Sequence, residues 1–492
     1  MKNEWVLLFP ILFPVAAGAL LPLIGLTKKR SFRQWYVGFV LAVQAAVVIY
    51  ILAQPAMEVT TVQIVTDMAV VFRTDGIAKL FMGMVTFIWL FVGIYNFEYL
   101  KHENHERRFL CVFVMEMGVL TGLGMSGNYI SFYCLYEMVA LGGFLLVAHT
   151  QTKEALRAGC KYLFYSICGA ALGLMGFFFF HTYGSGAGFT PGGILDGSKL
   201  AGHEALMLVV VFLVIIGFGS KAGMFPLHGW LPTAHPVAPA PASAVLSGVI
   251  AKAGVLGIIR VVFYTVGADF IRGSWVQYAW MALTLITIFM GSMMAYKEKV
   301  LKKRLAYSTV SQVSYVLFGL STLTTAGVLG GLMHMLYHAV IKSTLFMTAG
   351  SIIYKTGKKM VSELTAIGKQ MPVVMWCFTL VSVALVGIPP TSASVSKEFL
   401  AQGALEGGFG ALSYIGPVVL LISAVLTAGY LLSISMKGFF PASQTVPGTV
   451  EKTEPNGYML FPLFVFAAVS LVFGMFPESF VEFLHPIVDA IL

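Results

Sequence analysis

The chain has 492 residues, of which 58% are hydrophobic and only 11% charged, where soluble globular chains carry about 25% charged residues. With a mean hydropathy of +0.85 and no polar block long enough for a soluble domain, it reads as a polytopic membrane protein, so length alone gives no domain count. The net charge of +9 does not indicate nucleic-acid binding, because the basic residues are spread over short loops and form no patch between aromatics.

Membrane spans need about 20 apolar residues each. Fourteen candidates follow in chain order, near 5–26, 33–53, 77–97, 109–126, 129–148, 160–182, 204–223, 240–264, 274–295, 304–322, 327–354, 372–402, 411–436 and 457–476. The first, within MKNEWVLLFPILFPVAAGALLPLIGL, is too long and too apolar for a cleaved leader and is read as a span. The run KHENHERR at 101–108 lacks HExxH spacing and reads as a solvated loop. Cys111, Cys134, Cys160, Cys168 and Cys377 all lie in apolar runs without a CxxC, which indicates neither a metal site nor a disulfide framework. The tail PESFVEFLHPIVDAIL reads as a short amphipathic interfacial helix.

The loops decide orientation. With the N-terminus outside, the inner loops hold 21 of the 31 Lys and Arg residues and the outer side six: Lys2, Arg73, Lys79, Lys199, Arg260 and Arg272. Basic residues concentrate in cytoplasmic loops, so both termini are expected on the outer side. Arg260 fits least well, near the outer end of its helix. The remaining four, Lys221, Lys252, Lys342 and Lys397, lie inside spans, as do Glu116, Glu137, His334 and His338.

Ionisable side chains at membrane depth are costly and mark ion or proton paths far more often than chance. A single lysine can be a structural pair or snorkel to the interface; four lysines, two histidines and two glutamates in one chain make that reading unattractive for the set. Lys221 precedes AGMFPLHGWLP, where glycine and Pro226 break the helix, and irregular backbone at this depth is tolerated only inside protein or along a wet cavity. Glu137 lies mid-span. A buried carboxylate beside a buried ammonium favours the charged form of both, so a Glu137–Lys221 pair would act as a proton valve. Lys252 sits among small residues, which suit close helix packing. His334, His338 and Lys342 fall at i, i+4 and i+8, on one helix face. The histidines lack a third metal ligand at suitable spacing and read as proton carriers. Lys397 follows GIPPTSASVS, a second helix break with hydroxyls at Thr391, Ser392, Ser394 and Ser396. Two broken helices in corresponding positions of two halves point to inverted repeats. Glu116 and His228 are additional candidates for the path.

The stretch KAGMFPLHGWLPTAHPVAPAPASAVLSGVIAKAGVLGIIR, with KKRLAYSTVSQVSY, HMLYHAVIKSTLF and GIPPTSASVSKEFL, resembles the antiporter-like subunits of respiratory complex I, Mrp-type Na+/H+ antiporters and membrane-bound hydrogenases. The resemblance covers roughly residues 70–400. It implies an all-α membrane fold of about fourteen transmembrane helices: N-terminal helices over 1–108, two inverted five-helix units over 109–264 and 265–436, and a last helix with its tail over 437–492. It implies that Glu137 and Lys221 form the first-half pair, that Lys252 connects the halves, that His334, His338 and Lys342 continue a central polar axis, and that Lys397 serves the second half-channel. Glu116 and the SGN at 126–128 depart from the usual pattern. A chain end soon after the fourteenth span resembles the Mrp D subunit or the middle-sized complex I subunit, and lysine rather than glutamate at 397 leans toward the Mrp D or hydrogenase type, so the resemblance is closest to the Mrp D type.

The leading expectation is therefore a proton-translocating subunit, with or without Na+/H+ exchange, of a multisubunit energy-converting complex in a prokaryotic plasma membrane. Its partners would be other membrane subunits and the lipid bilayer. No cofactor and no metal are expected, since the chain has no dinucleotide fingerprint, no cysteine cluster and no P-loop. A self-sufficient Na+/H+ antiporter would use the same polar axis, although no cluster of aspartates offers the oxygen-rich site that hard cations prefer. A structural scaffold with vestigial charges is the third reading.

Overall fold

The computed structural model describes residues 4–65, 68–186, 188–441 and 451–492. Lys2 of the orientation count, and 442–450 of the C-terminal segment, lie outside the described residues.

Two helices, α1 (Phe9–Leu20) and α2 (Arg30–Leu52), lead into an antiparallel hairpin of β1 (Glu58–Val65) and β2 (Met68–Arg73). Then come α3 (Gly76–Tyr99), α4 (Glu106–Gly124), α5 (Tyr129–Val147), α6 (Lys153–Tyr183) and the short α7 (Gly197–Leu200). A broken helix follows, α8 (Glu204–Ala222) and α9 (Leu231–Val237). The next rod is built of α10 (Ala240–Val245), a π-helical turn at Leu246–Ile250, α11 (Ala251–Val261) and a second π turn at Val262–Val266. After α12 (Ala268–Ile271) stand α13 (Trp275–Lys297), α14 (Leu301–Thr322) and α15 (Thr325–Thr356). Beyond the short α16 (Ile367–Gln370), a second broken helix comprises α17 (Pro372–Val386) and α18 (Ser392–Glu406). The chain closes with α19 (Ala411–Phe439), α20 (Gly457–Met475) and α21 (Glu478–Ile491).

Among the described residues, ten helices are long and apolar enough to cross a membrane, judged by length and composition. The other four expected spans fall on Glu4–Leu20, α4, α14 and the pair α17/α18, which are shorter, broken or more polar. The tail expected to be amphipathic is α21, which buries Leu484, Val488 and Ile491 on one face.

Polar residues start the helices where the sequence supplies them. Asp75, Asn128, Thr152 and Thr324 each accept a hydrogen bond from a backbone N–H in the first turn of α3, α5, α6 and α15, satisfying donors that a helix N-terminus otherwise leaves free. The two helix breaks share one device. Both α8 and α17 end on a left-handed glycine, Gly223 at φ 82° and Gly387 at φ 88°, a conformation that a Cβ disfavours.

The hairpin lies where the span pattern leaves only a connection. Its β2 strand bonds on to the α4–α5 turn: Arg73 N–H donates to Met125 O (2.6 Å), Gly127 N–H to Val71 O (2.8 Å) and Asn128 Nδ2 to Ala69 O (2.6 Å). Arg260, the ill-fitting outer-side cation, is buried at 1% exposure and grips the Asp75 carboxylate with both terminal nitrogens. Its guanidinium also lies over the Tyr264 ring, 4.6 Å from the centroid. It is therefore a structural clamp between α11 and the start of α3 rather than an exposed loop charge.

The core is densest around α11 and α15. A Cβ on Gly254 of α11 would lie 2.4 Å from the Phe218 carbonyl oxygen of α8, and one on Gly169 of α6 would lie 2.3 Å from Gly217 O. Small residues thus let α6, α8 and α11 approach backbone to backbone. This holds Lys221 and Lys252 on neighbouring, tightly packed helices.

Candidate functional site: a buried ionisable axis

Lys252 sits one residue into α11, directly after the first π turn, and is fully buried. A π turn inserts a residue into the helical ladder and shifts which side chains face the core. Here it frees Ser247 O to accept from the Lys252 ammonium, while Ser247 Oγ pairs with Thr309 Oγ1 of α14 at 2.7 Å. The same ammonium lies 2.7 Å from His338 Nδ1.

From there the contacts run along α15. The His338 and His334 rings stack with centroids 6.1 Å apart. His334 Nδ1 meets Ser396 Oγ at 2.9 Å, and its Nε2 meets Gln312 Oε1 at 3.0 Å. Ser396 adjoins Lys397 on α18, and the Tyr315 ring stands between the two ends, 5.3 Å from the His334 centroid and 5.2 Å from Lys397 Nζ. Lys397 crosses the helix break and donates to the last carbonyls of α17, Leu385 O at 2.7 Å and Val386 O at 2.8 Å. A cation there complements the negative end of that helix dipole. Lys342, one turn beyond His338, donates to Leu305 O at 3.1 Å. The expected helix face of His334, His338 and Lys342 is present, and its three members reach different partners: α18 and α14, α11, and α14.

The first half is arranged differently. Lys221, in the last turn of α8, is fully buried. It donates to Tyr136 O at 3.1 Å and lies 3.8 Å from the centroid of the Tyr136 ring. Two carboxylates lie within its electrostatic range, Glu116 with the larger effect and Glu137 with the smaller. Glu116 is 2% exposed on α4, its carboxylate seated where a Cβ on Gly142 would collide with it, and its Oε1 has no partner within the protein. Glu137 is half-buried on α5 beside Tyr133. Among the described residues no ion pair joins Lys221 to either carboxylate, and no hydrogen bond joins Lys221 to Lys252. His228 is half-buried in the α8–α9 break, stacked on Phe225 with centroids 6.0 Å apart, and its Nδ1 has no protein partner.

Sequence reasoning singled out the ionisable groups and the Ser396 hydroxyl and missed the polar groups that α14 sets beside them. Thr309, Gln312 and Tyr315 lie on α14 among other hydroxyl residues, Ser308, Ser311 and Ser314, and that unusual density of polar residues in an expected span is the signal that could have found them. Tyr136, adjacent to Glu137, carries no such signal. Among the described residues no cluster of three or more His, Cys, Asp or Glu side chains is arranged to hold a metal ion.

The fold and this axis together define a polytopic helical membrane protein with a row of ionisable groups threaded through its core. The family model described as "NADH:quinone oxidoreductase/Mrp antiporter, TM" matches residues 126–437, and one for the N-terminus of complex I chain 5 matches 63–110. The chain belongs to the NADH:quinone oxidoreductase/Mrp antiporter family. It is 29% identical over 421 residues to the N component of the NADH-quinone oxidoreductase of Desulforudis audaxviator, covering 83% of this chain and 82% of that one. It is 29% identical over 418 residues to the D component of the Na+/H+ antiporter of Bacillus subtilis, covering 83% and 81%. Among solved structures, a chain of the membrane-bound sulfane sulfur reductase, an archaeal respiratory membrane complex, superposes with a TM-score of 0.87 at 21% identity over 99% of this chain and 97% of that one.

Proposed function

We propose that this chain is a proton-translocating membrane subunit of a multisubunit energy-converting complex, and that its buried Lys, His and Glu side chains hand protons across the membrane. One observation carries the reading: Lys252, His338, His334 and Ser396 follow one another to the α18 turn bearing Lys397, by hydrogen-bond distance at Lys252–His338 and His334–Ser396 and by a ring stack at His338–His334. Imidazoles take a proton on one nitrogen and release it from the other. Burial out of water disfavours the charged form of an amine, so a lysine there needs a neighbouring group to take its proton. Lys221, Lys252 and Lys397 act in series, with Glu116 and Glu137 setting the charge on Lys221 and Lys342 extending the central axis. His228 lines the break through which Lys221 meets water.

The two broken helices, α8/α9 and α17/α18, are the matching parts of inverted units over 109–264 and 265–436. The basic loops face the cytoplasm of a prokaryotic cell, which puts both termini on the outer side. Coupling to Na+ in the opposite direction follows the name borne by the B. subtilis relative, and neighbouring membrane subunits supply the driving reaction.

The test is proton transport in everted membrane vesicles from cells carrying the whole complex. Lys221→Ala is expected to abolish transport while the complex still assembles. Lys221→Arg is expected to fail as well, because arginine does not release its proton in proteins. Transport at the parent rate by either assembled variant would contradict the reading.

A further inference from the structure

On the face that carries the basic loops, a pocket of about 230 Å³ sinks between the loop after α3, the α9–α10 junction and the start of α14. Glu103, Lys302 and Lys359 supply its charged lining and Tyr99 part of its wall. Glu103 lies beside the Tyr99 hydroxyl and faces Lys302 and His102. Burial raises the pKa of the Glu103 carboxyl, against the opposing pull of Lys302, which brings its proton exchange closer to neutral pH. Lys302 is 7% exposed and donates to Ala238 O, a carbonyl that the α9–α10 break leaves outside any helix. Pro236 and Pro239 flank that carbonyl and bring no N–H of their own.

His235 stands directly behind this wall. It is fully buried, and neither ring nitrogen has a partner within the protein. Its ring stacks on Phe346 with centroids 4.5 Å apart, and Phe346 lies one helical turn beyond Lys342 on α15. Ser243 Oγ fixes its backbone carbonyl at 3.1 Å. The charged groups that face it are Lys302 on the pocket side and Lys342 and Lys252 on the core side. Buried polar atoms without partners are rare in folded proteins, and beside a polar pocket they are met by water. The stack holds the ring plane and leaves both nitrogens at its edge.

We infer that this pocket is the proton-access mouth on the basic-loop face, where Glu103 exchanges protons with the aqueous side and His235 passes them between the pocket and the Lys342–Lys252 region. A proton bound at one ring nitrogen and lost from the other leaves the imidazole neutral, so no net charge stays among the three lysines. The inference rests on the proton-translocation reading above.

Everted vesicles carrying the whole complex test it, because they expose the basic-loop face. His235→Phe keeps the stack on Phe346 and removes both nitrogens. Transport should fall about a hundredfold, the low end of what a positioned proton-transfer group contributes, with the complex assembled. Glu103→Gln should lose the parent's dependence on the pH of the basic-loop side, a change that a merely structural role would not produce. Val300→Cys, in the pocket wall, should be blocked by a charged thiosulfonate reagent that leaves the parent, with its five native cysteines, unblocked. The Cys variant carries the test by itself if His235→Phe does not assemble. Should Lys221→Ala abolish transport while His235→Phe, Glu103→Gln and labelled Val300→Cys all run at the parent rate, this mouth is overturned and the transport reading stands. Should Lys221→Ala also run at the parent rate, the transport reading fails and the mouth fails with it.

Discussion

The two halves of the buried axis use the same residue types in opposite ways. From Lys252 to the Ser396–Lys397 turn, each group touches the next directly or through one stacked ring. Around Lys221 the ammonium is satisfied by a backbone carbonyl and an aromatic face, with two carboxylates near but not bonded. From Lys252 to Ser396, only the step between the stacked His338 and His334 rings, where His338 Nε2 has no partner within the protein, lacks a hydrogen bond. An unbonded cluster needs a side chain or water to move first, and so it is where transport can be held or released. On the proposed function, conduction falls to the second half and control to the first.

Three substitutions sharpen that division, in descending order of effect. Glu116→Gln removes the carboxylate with the larger pull on Lys221 and should slow transport about tenfold, the scale of one charge partner on a buried group. Glu137→Gln should have a smaller effect, measured in the same vesicles. If Glu137→Gln proves the more damaging, the control point lies at α5 and not at α4. Thr309→Val removes the hydroxyl that pairs with Ser247 beside the π turn. It should cost about 1 kcal/mol of stability, read as a small drop in the thermal midpoint of the detergent-solubilised complex, with transport largely kept. A large loss of transport there would mean that the π turn itself belongs to the conducting path.

Much of this was legible in the sequence, because burial of charge in a membrane is expensive enough to leave few innocent explanations. The four intramembrane lysines, the His334–His338 face and both helix breaks stand where the residues put them. What stayed hidden depends on contacts between distant segments. Arg260 looked misplaced on the outer side until the fold brought Asp75, 185 residues earlier in the chain, against it. The relative pull of Glu116 and Glu137 on Lys221 is set by packing among α4, α5 and α8, which no periodicity encodes. The π turn at Leu246–Ile250 arises in a stretch whose composition reads as plain helix. The hairpin is a different kind of omission: EVTTVQIV and MAVVFR are rich in β-branched residues, and a reading tuned to apolar spans passes over them.

The most direct test of the central claim, that protons travel along the axis from Lys252 to Lys397, is the transport rate of assembled complex carrying His334→Phe. This substitution keeps the stacks on Tyr315 and His338 and removes the contacts to Ser396 and Gln312. Loss of transport by about a hundredfold, with assembly intact, is the predicted result. Transport at the parent rate would mean that protons cross by a route that does not use this axis.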